Sequence, residues 1–96
     1  HFIMTPKEYA YLKQLRGPVP IYRGCEEDVN EEGWSWSLRR DVAKDFARIF
    51  VPLGRRLILV GTCDPQMVVA YFDFSREAEI VVDWQYVIEW KKTPYE

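Results

Sequence analysis

Two glutamates placed two residues apart are the strongest candidates for chemistry in this sequence. Glu77-Ala78-Glu79 stands directly before the apolar run Ile80-Val81-Val82. Because alternate side chains of a β-strand share a face, the pattern predicts that Glu77 and Glu79 point the same way while Ala78 points into a core. Like charges on one strand face are destabilising by roughly a few tenths of a kcal/mol, so the pair is unfavourable without a purpose. Carboxylates can stabilise a developing positive charge or accept a proton.

Histidine and cysteine are too few in this sequence for the usual catalytic arrangements, so acid–base chemistry would fall to carboxylates, tyrosines or groups oriented by arginine. The only histidine is His1, which excludes a Ser-His-Asp or Cys-His arrangement from this chain alone. Cys25 and Cys63 have no cluster of further ligands near them in the sequence, so no zinc site and no other metal site is expected. A disulfide between the two cysteines stays open, and two buried reduced thiols are the preferred interpretation.

Two further motifs precede the glutamates. Tyr22-Arg23-Gly24 closes a predicted strand over residues 19–23, in which Pro20 indicates an edge position or a late start. Gly33-Trp34-Ser35-Trp36-Ser37 alternates aromatic and hydroxyl side chains, which predicts a half-buried strand with the tryptophans on one face and the serines on the other. Taken singly, Arg23 could form a surface ion pair, and the serines could be ordinary strand and capping residues.

The remaining patterns place these motifs on an α+β framework with a mostly antiparallel sheet. Thr5-Pro6-Lys7-Glu8 carries the signature of a capping box and predicts a helix over about residues 6–15. A second helix is predicted over about residues 38–50, and further strands over 56–63, 78–83 and 86–91, with 67–72 as a strand or a short helical turn. The apolar positions of the second helix fall on one face: Leu38, Val42, Phe46 and Ile49 or Phe50, with Ala43 and Ala47 beside them.

Length and composition indicate a single domain spanning residues 1–96. The chain is 48% hydrophobic and 16% aromatic, which is enough to form a core. A net charge of −2 without a basic cluster speaks against binding to nucleic acid or to an anionic membrane. The sequence has no apolar run long enough to cross a bilayer and no visible signal peptide, so an intracellular location is expected.

The three motifs, in this order and each on the expected element, resemble the arginine–serine–glutamate class of mono-ADP-ribosyltransferases. This is the cholera-toxin-like and ecto-enzyme-like branch, which includes compact phage and bacterial members. The resemblance covers about residues 19–83. It implies a split β-sandwich with an N-terminal helix and a helix after the serine strand, and it implies NAD as a substrate.

The resemblance also implies a role for each residue. Glu79 would hydrogen-bond the ribose of NAD as the main catalytic group, and Glu77 would direct transfer to an arginine acceptor. Arg23 would bind phosphate or ribose oxygens, beside a Gly24 that lets the backbone approach a ligand. Ser35 would hold Glu79 in place, and Ser37 would support the junction between strand and helix. An aromatic in the loop before the glutamates, Phe74 or Tyr71, would help to choose the target.

Two functions from different classes follow from these observations. The first is an NAD-dependent mono-ADP-ribosyltransferase that modifies a host or partner protein, with a slow NAD glycohydrolase side reaction when water is the acceptor. The second is a non-catalytic, phage-type inhibitor or protein-interaction module on the same fold, which acts by occlusion. The acidic segment between Glu26 and Glu32, together with the tryptophans, would then form its contact surface. Modification of nucleic acid is the weakest alternative, because the chain lacks a basic patch.

Overall fold

The computed structural model describes residues 4–51 and 54–95, without the side chain of Ser75. Within that part of the chain, two α-helices and six β-strands alternate in an α+β order. The helices are α1 (Pro6–Gln14) and α2 (Arg40–Phe50). The strands are β1 (Val19–Glu26), β2 (Ser35–Ser37), β3 (Arg56–Cys63), β4 (Val68–Phe72), β5 (Glu79–Val82) and β6 (Ile88–Pro94).

The six strands form one antiparallel sheet, in which the pairing between the two central strands is short. Their order is β4-β5-β2-β1-β3-β6. Strand β1 pairs with β3 over eight residue pairs, from Val19 with Cys63 to Glu26 with Arg56. It pairs with β2 only at Tyr22 and Ser37. The sheet therefore consists of two three-stranded halves joined by a short contact.

Side chains on the two faces of β1 pack into two different hydrophobic cores. Ile21 and Cys25 belong to the larger core, which also contains Trp36, Leu59 and Ile80. The opposite face of β1 packs against α2, where a second cluster forms around Ala43, Ala47 and Ile58. Gly24 lies on that second face, and a Cβ atom on it would collide with the carbonyl oxygen of Ala43. The absence of a side chain at Gly24 thus sets how closely α2 approaches the sheet.

The structure confirms the predicted helix at residues 6–15 to within one residue. Thr5 caps α1 reciprocally with Glu8, as a capping box requires. Strand β3 has the predicted bounds, whereas β1 continues to Glu26 and takes in the start of the predicted acidic loop. Pro20 fits because the β2 contact does not extend that far along β1, so this stretch pairs on one side only.

The prediction of which residues form the buried apolar face of the second helix is wrong in part. Helix α2 begins at Arg40, and Leu38 packs against the larger core instead of extending the helical stripe. The buried residues of α2 are its two alanines, whereas Phe46 and Phe50 are 47% and 66% exposed. The small side chains face the sheet because Gly24 allows the helix backbone to come close.

The cysteines are free and buried, as the preferred interpretation held. Cys25 lies opposite Leu57 and Cys63 lies opposite Val19, at opposite ends of the β1–β3 pair. Burial raises the pKa of Cys63 to about 11, so this thiol stays protonated near neutral pH.

Substitution of Gly24 by alanine tests the close approach of α2. The added methyl group would force the helix backbone away from β1, and overpacking of this kind costs about 1–3 kcal/mol. We expect the melting temperature of Gly24→Ala to fall by roughly 5–20 °C for a domain of this size. Val69→Ala, at an exposed position on the edge strand β4, is the control and should shift it far less. An unchanged melting temperature for Gly24→Ala would contradict this packing.

Candidate functional site

Glu79 is held by the serine strand. Strands β2 and β5 pair antiparallel, with Ser37 opposite Glu79 and Trp36 opposite Ile80. The hydroxyl of Ser35 donates a hydrogen bond of 2.5 Å to Oε2 of Glu79, so the predicted contact between these residues is present. Glu79 is half-buried, and a charged acceptor makes such a hydrogen bond short and strong. The serine thereby restricts the rotamers of the carboxylate.

Glu77 lies before strand β5 and not within it, which corrects the predicted alternation with Glu79. Its backbone is helical, at φ −82° and ψ −15°. The residues on either side have left-handed backbones, with φ of 60° at Arg76 and 47° at Ala78. Each left-handed non-glycine residue costs about 1–2 kcal/mol, and such strain concentrates at functional sites. The predicted inward direction of Ala78 is confirmed, since its side chain is buried in the larger core.

Three consecutive carbonyl groups of this strained segment, at residues 76–78, are bound by residues 37–39. The Ser37 hydroxyl donates to the Glu77 carbonyl at 2.7 Å, and the Leu38 amide donates to the Ala78 carbonyl at 3.0 Å. The Arg39 guanidinium donates to the Arg76 carbonyl at 3.3 Å. The junction between β2 and α2 therefore fixes the backbone that carries Glu77.

Ser37 has the supporting role expected at the junction of strand and helix. It is buried, and its hydroxyl oxygen also accepts the Arg39 amide at 3.0 Å. Residue Arg39 itself is the N-cap of α2, so Ser37 supports the helix start without being its N-cap. Both hydroxyl contacts of Ser37 are thus made within the protein.

Arg23 is half-buried beneath the segment between β1 and β2. Its terminal nitrogens donate to the carbonyl oxygens of Ser35 and Asn30, each at 2.9 Å. Its Nε is buried and has no acceptor among the described residues. Burial lowers the pKa of the guanidinium, and the charge persists because arginine starts far above neutrality. A Cβ at Gly33 would collide with this guanidinium, so Gly33 makes room for it.

The predicted site residues line one cavity of about 500 Å³ at the junction of the two half-sheets. Its polar lining includes the predicted residues Arg23, Ser35, Ser37, Glu77 and Glu79, and Gly24 also borders it, as do Tyr22 and Asp45. The close approach that Gly24 allows is to helix α2 and not to the open part of the cavity. The volume lies within the usual range for small-molecule sites.

The wall formed by helix α2 is mostly apolar, with Asp45 as its one carboxylate, and was not predicted as part of the site. Helix α2 contributes Val42, Phe46, Ile49 and Phe50 to it, and the rings of Phe46 and Phe50 pack 4.5 Å apart. The helical spacing of these residues was visible in the sequence, but an apolar stripe normally indicates a core face. What distinguishes this stripe is its exposure, which only the tertiary structure defines.

Of the two aromatics proposed to choose a target, only Phe74 is accessible. It is 82% exposed on the short helical turn Phe74–Arg76, whereas Tyr71 is buried in the core and stacks on Tyr11. The tryptophans differ in exposure. Trp36 is buried and Trp90 packs edge-on against it, whereas Trp34 is 48% exposed.

Glu8 connects helix α1 to the loop that leads to the glutamates. One carboxylate oxygen accepts the Thr5 amide and the other accepts the Asp73 amide, each at 2.7 Å. Asp73 in turn accepts the Ala78 amide at 3.1 Å. Hydrogen bonds from the backbone of Thr5, and next from that of Asp73, hold the pKa of Glu8 below its usual value.

No family model, curated protein or solved structure matches this chain. Among residues 4–51 and 54–95, no group of three or more potential metal ligands was found. The same residues include no helix that is long and apolar enough to cross a bilayer.

Acid sensitivity tests the contacts of Glu8. Because its folded-state pKa is lowered, it stabilises the fold above its unfolded pKa and loses that effect as pH falls through the folded value. We expect the free energy of unfolding of Glu8→Gln to depend less on pH than that of the wild type between about pH 5 and pH 3. Denaturant titrations at several pH values in this range measure the free energy of unfolding. Glu32→Gln is the control for the loss of one negative charge. Identical slopes for wild type and Glu8→Gln would contradict the assignment.

Proposed function

We propose that this protein is an NAD-dependent mono-ADP-ribosyltransferase that modifies a protein, with arginine as the acceptor residue. The observation that carries the proposal is the hydrogen bond from Ser35 to Glu79 in the cavity that Arg23 and Glu77 also line. This is the arrangement that the resemblance to the arginine–serine–glutamate class implies. The three motifs are separated in sequence, so their convergence on one cavity is not a consequence of chain proximity.

The architecture supports the finer assignment of the fold. We propose that the sheet is a split β-sandwich of the ADP-ribosyltransferase type, with its cleft where the two halves meet. The single residue pair between β1 and β2 supports this division. Helix α1 precedes the arginine strand and α2 follows the serine strand, which is the order that the resemblance implies.

Glu79 would act on the ribose of NAD. The bond between ribose C1′ and the nicotinamide nitrogen breaks with its electron pair, which leaves with neutral nicotinamide, and positive charge develops on the sugar ring. A carboxylate held beside the ring stabilises this oxocarbenium-like state. Because the Ser35 hydroxyl fixes the carboxylate in advance, little reorganisation is needed when the charge appears.

Arg23 would bind the diphosphate or ribose oxygens. Two of its five N–H groups are used by backbone carbonyls, and the remaining ones include the buried Nε. The buried Nε cannot meet a ligand as the structure stands, so the free N–H groups of the two terminal nitrogens would make this contact. The planar guanidinium suits an oxyanion better than an ammonium does.

Glu77 would prepare the acceptor. It is exposed at the end of the polar lining, where an incoming arginine side chain can reach it. A carboxylate there would orient the guanidinium and accept its proton as the acceptor nitrogen bonds to C1′. Water in the same position would give the slow NAD glycohydrolase reaction.

The apolar wall of the cavity fits the same proposal. Phe46 and Val42 line the same cavity as the carboxylates and would exclude water from one side of the reacting sugar. The acceptor would be a protein of the host or of a partner, in the cytoplasm where NAD is available. An origin as a phage-borne or bacterial effector is part of this proposal and rests on the resemblance alone.

The second candidate, an occluding interaction module, is favoured by a different observation. Phe46, Ile49, Phe50 and Phe74 are four large apolar side chains that are between 47% and 82% exposed. The three on α2 line one cavity, and exposed apolar side chains close together are typical of protein-binding surfaces. This candidate therefore rests mainly on α2, and the exposed Trp34 keeps the expected contribution of a tryptophan open to test.

Release of nicotinamide from NAD tests the proposed enzyme. We expect purified wild-type protein to release nicotinamide, and to transfer ADP-ribose to a protein in a host lysate. Glu79→Gln should lose about 100-fold or more of both activities, because it removes the negative charge from the oxocarbenium site. Ser35→Ala should lose less, since Glu79 keeps its charge but not its hydrogen bond.

The control is Glu89→Gln, on the edge strand β6 outside the cavity, which should keep wild-type activity. Absence of NAD cleavage by the wild type, or equal activity in Glu79→Gln, would contradict the enzyme. If in addition the protein captures a host complex, and Phe50→Ser abolishes capture while Glu79→Gln does not, the occluding module is the function.

A further inference from the structure

Arg23 shares a row of the sheet with a second cation on a distant strand. Arg23 of β1 lies opposite Leu59 of β3, and Leu59 lies opposite Lys92 of β6. Directly opposed residues in an antiparallel sheet point to the same face, so all three side chains lie on one side. Lys92 is thus two strands away from the proposed NAD-binding arginine, at a backbone distance of about 10 Å.

The acidic segment between β1 and β2 lies over both cations of this row. Lys92 Nζ pairs with Asp28 at 3.3 Å and with Glu31 at 3.2 Å. Glu31 also accepts the Asp28 amide at 2.6 Å, which closes the turn between the two carboxylates. The pKa of Lys92 is raised by its hydrogen bonds to Glu31 and then to Asp28.

The same segment supplies the contacts that hold Arg23. The Asn30 carbonyl accepts from the guanidinium, and Gly33 lies against it. Asp28 and Asn30 have left-handed backbones, with φ of 63° and 52°. Asp and Asn adopt this backbone readily, so the segment turns at these two residues and brings the Asn30 carbonyl to Arg23.

We propose that Lys92 is a positioning residue that acts on Arg23 through the acidic segment, and that it makes the proposed site sensitive to ionic strength. Its two ion pairs hold residues 28–31 in place, and this segment presents the Asn30 carbonyl to Arg23. Both ion pairs are partly exposed, so salt weakens them. The effect on NAD rests on the proposed function, whereas the effect on Arg23 does not.

Lys92→Met tests this coupling, with Lys91→Met as its matched control. Both substitutions remove one charge and keep the aliphatic stem, but Lys91 lies opposite Val60 and points to the other face of the sheet. In Lys92→Met we expect amide exchange at residues 28–31 to rise about threefold, the scale of exposed ion pairs. The Arg23 Nε–H signal in the NMR spectrum should shift. Lys91→Met should change neither.

Salt and a double substitution sharpen the test. Raising the salt concentration from about 0.05 M to about 1 M should bring wild-type exchange toward the Lys92→Met level and leave the variant almost unchanged. Asp28→Asn tolerates the left-handed backbone and should reduce the effect of Lys92→Met when the two are combined.

The coupling to the proposed function is measured by the KM for NAD. We expect Lys92→Met to raise KM about threefold at low salt, with little change in kcat, and to lose its salt dependence. Equal effects of the two lysine variants on exchange and on the Arg23 signal, or no effect of either, would overturn the proposal. If the wild type does not cleave NAD, the proposed function fails, and the exchange and NMR results still decide the role of Lys92.

Discussion

The contact between β1 and β2 is the constraint on which the rest of this structure depends. These strands meet at Tyr22 and Ser37 alone, although β1 pairs with β3 along its whole length. Backbone and side-chain polar groups near the gap need other partners, because burial without hydrogen bonds is costly. The Arg23 guanidinium bonds the Ser35 carbonyl, and the Ser35 hydroxyl bonds Glu79. The cavity and its polar lining are consequences of this short contact.

Hydrogen bonds support the backbone segment of the cavity wall that leads into β5. Residues 37–39 bind three successive carbonyls of the strained segment before β5, and Asp73 binds the amide of Ala78. A backbone with two left-handed non-glycine residues persists only when neighbouring contacts determine it. Such contacts fix the backbone that carries Glu77, and Ser35 holds the Glu79 carboxylate without a ligand, which is what electrostatic stabilisation of a short-lived charge requires.

The sequence predicted helices and strands correctly where residues close together in the sequence determine the local structure. The capping box at Thr5 and the bounds of β3 follow from residue types and strand periodicity, whereas the contact between Ser35 and Glu79 was expected from the family resemblance. The left-handed Ala78 could not be predicted, because alanine gives no sign of that backbone. The face that α2 buries could not be predicted from the sequence either, since it depends on a glycine in a distant strand. The class of reaction remains a proposal supported by this geometry.

Titration of NAD into the isotope-labelled protein, followed by amide NMR shifts, tests the central claim most directly. The account predicts that saturable shifts cluster at residues 23–24, 35–37 and 77–79, on both sides of the gap between β1 and β2, and that they are weakened in Glu79→Gln. Shifts confined to other surfaces, or none at millimolar NAD, would contradict the claim that this cavity is an NAD site.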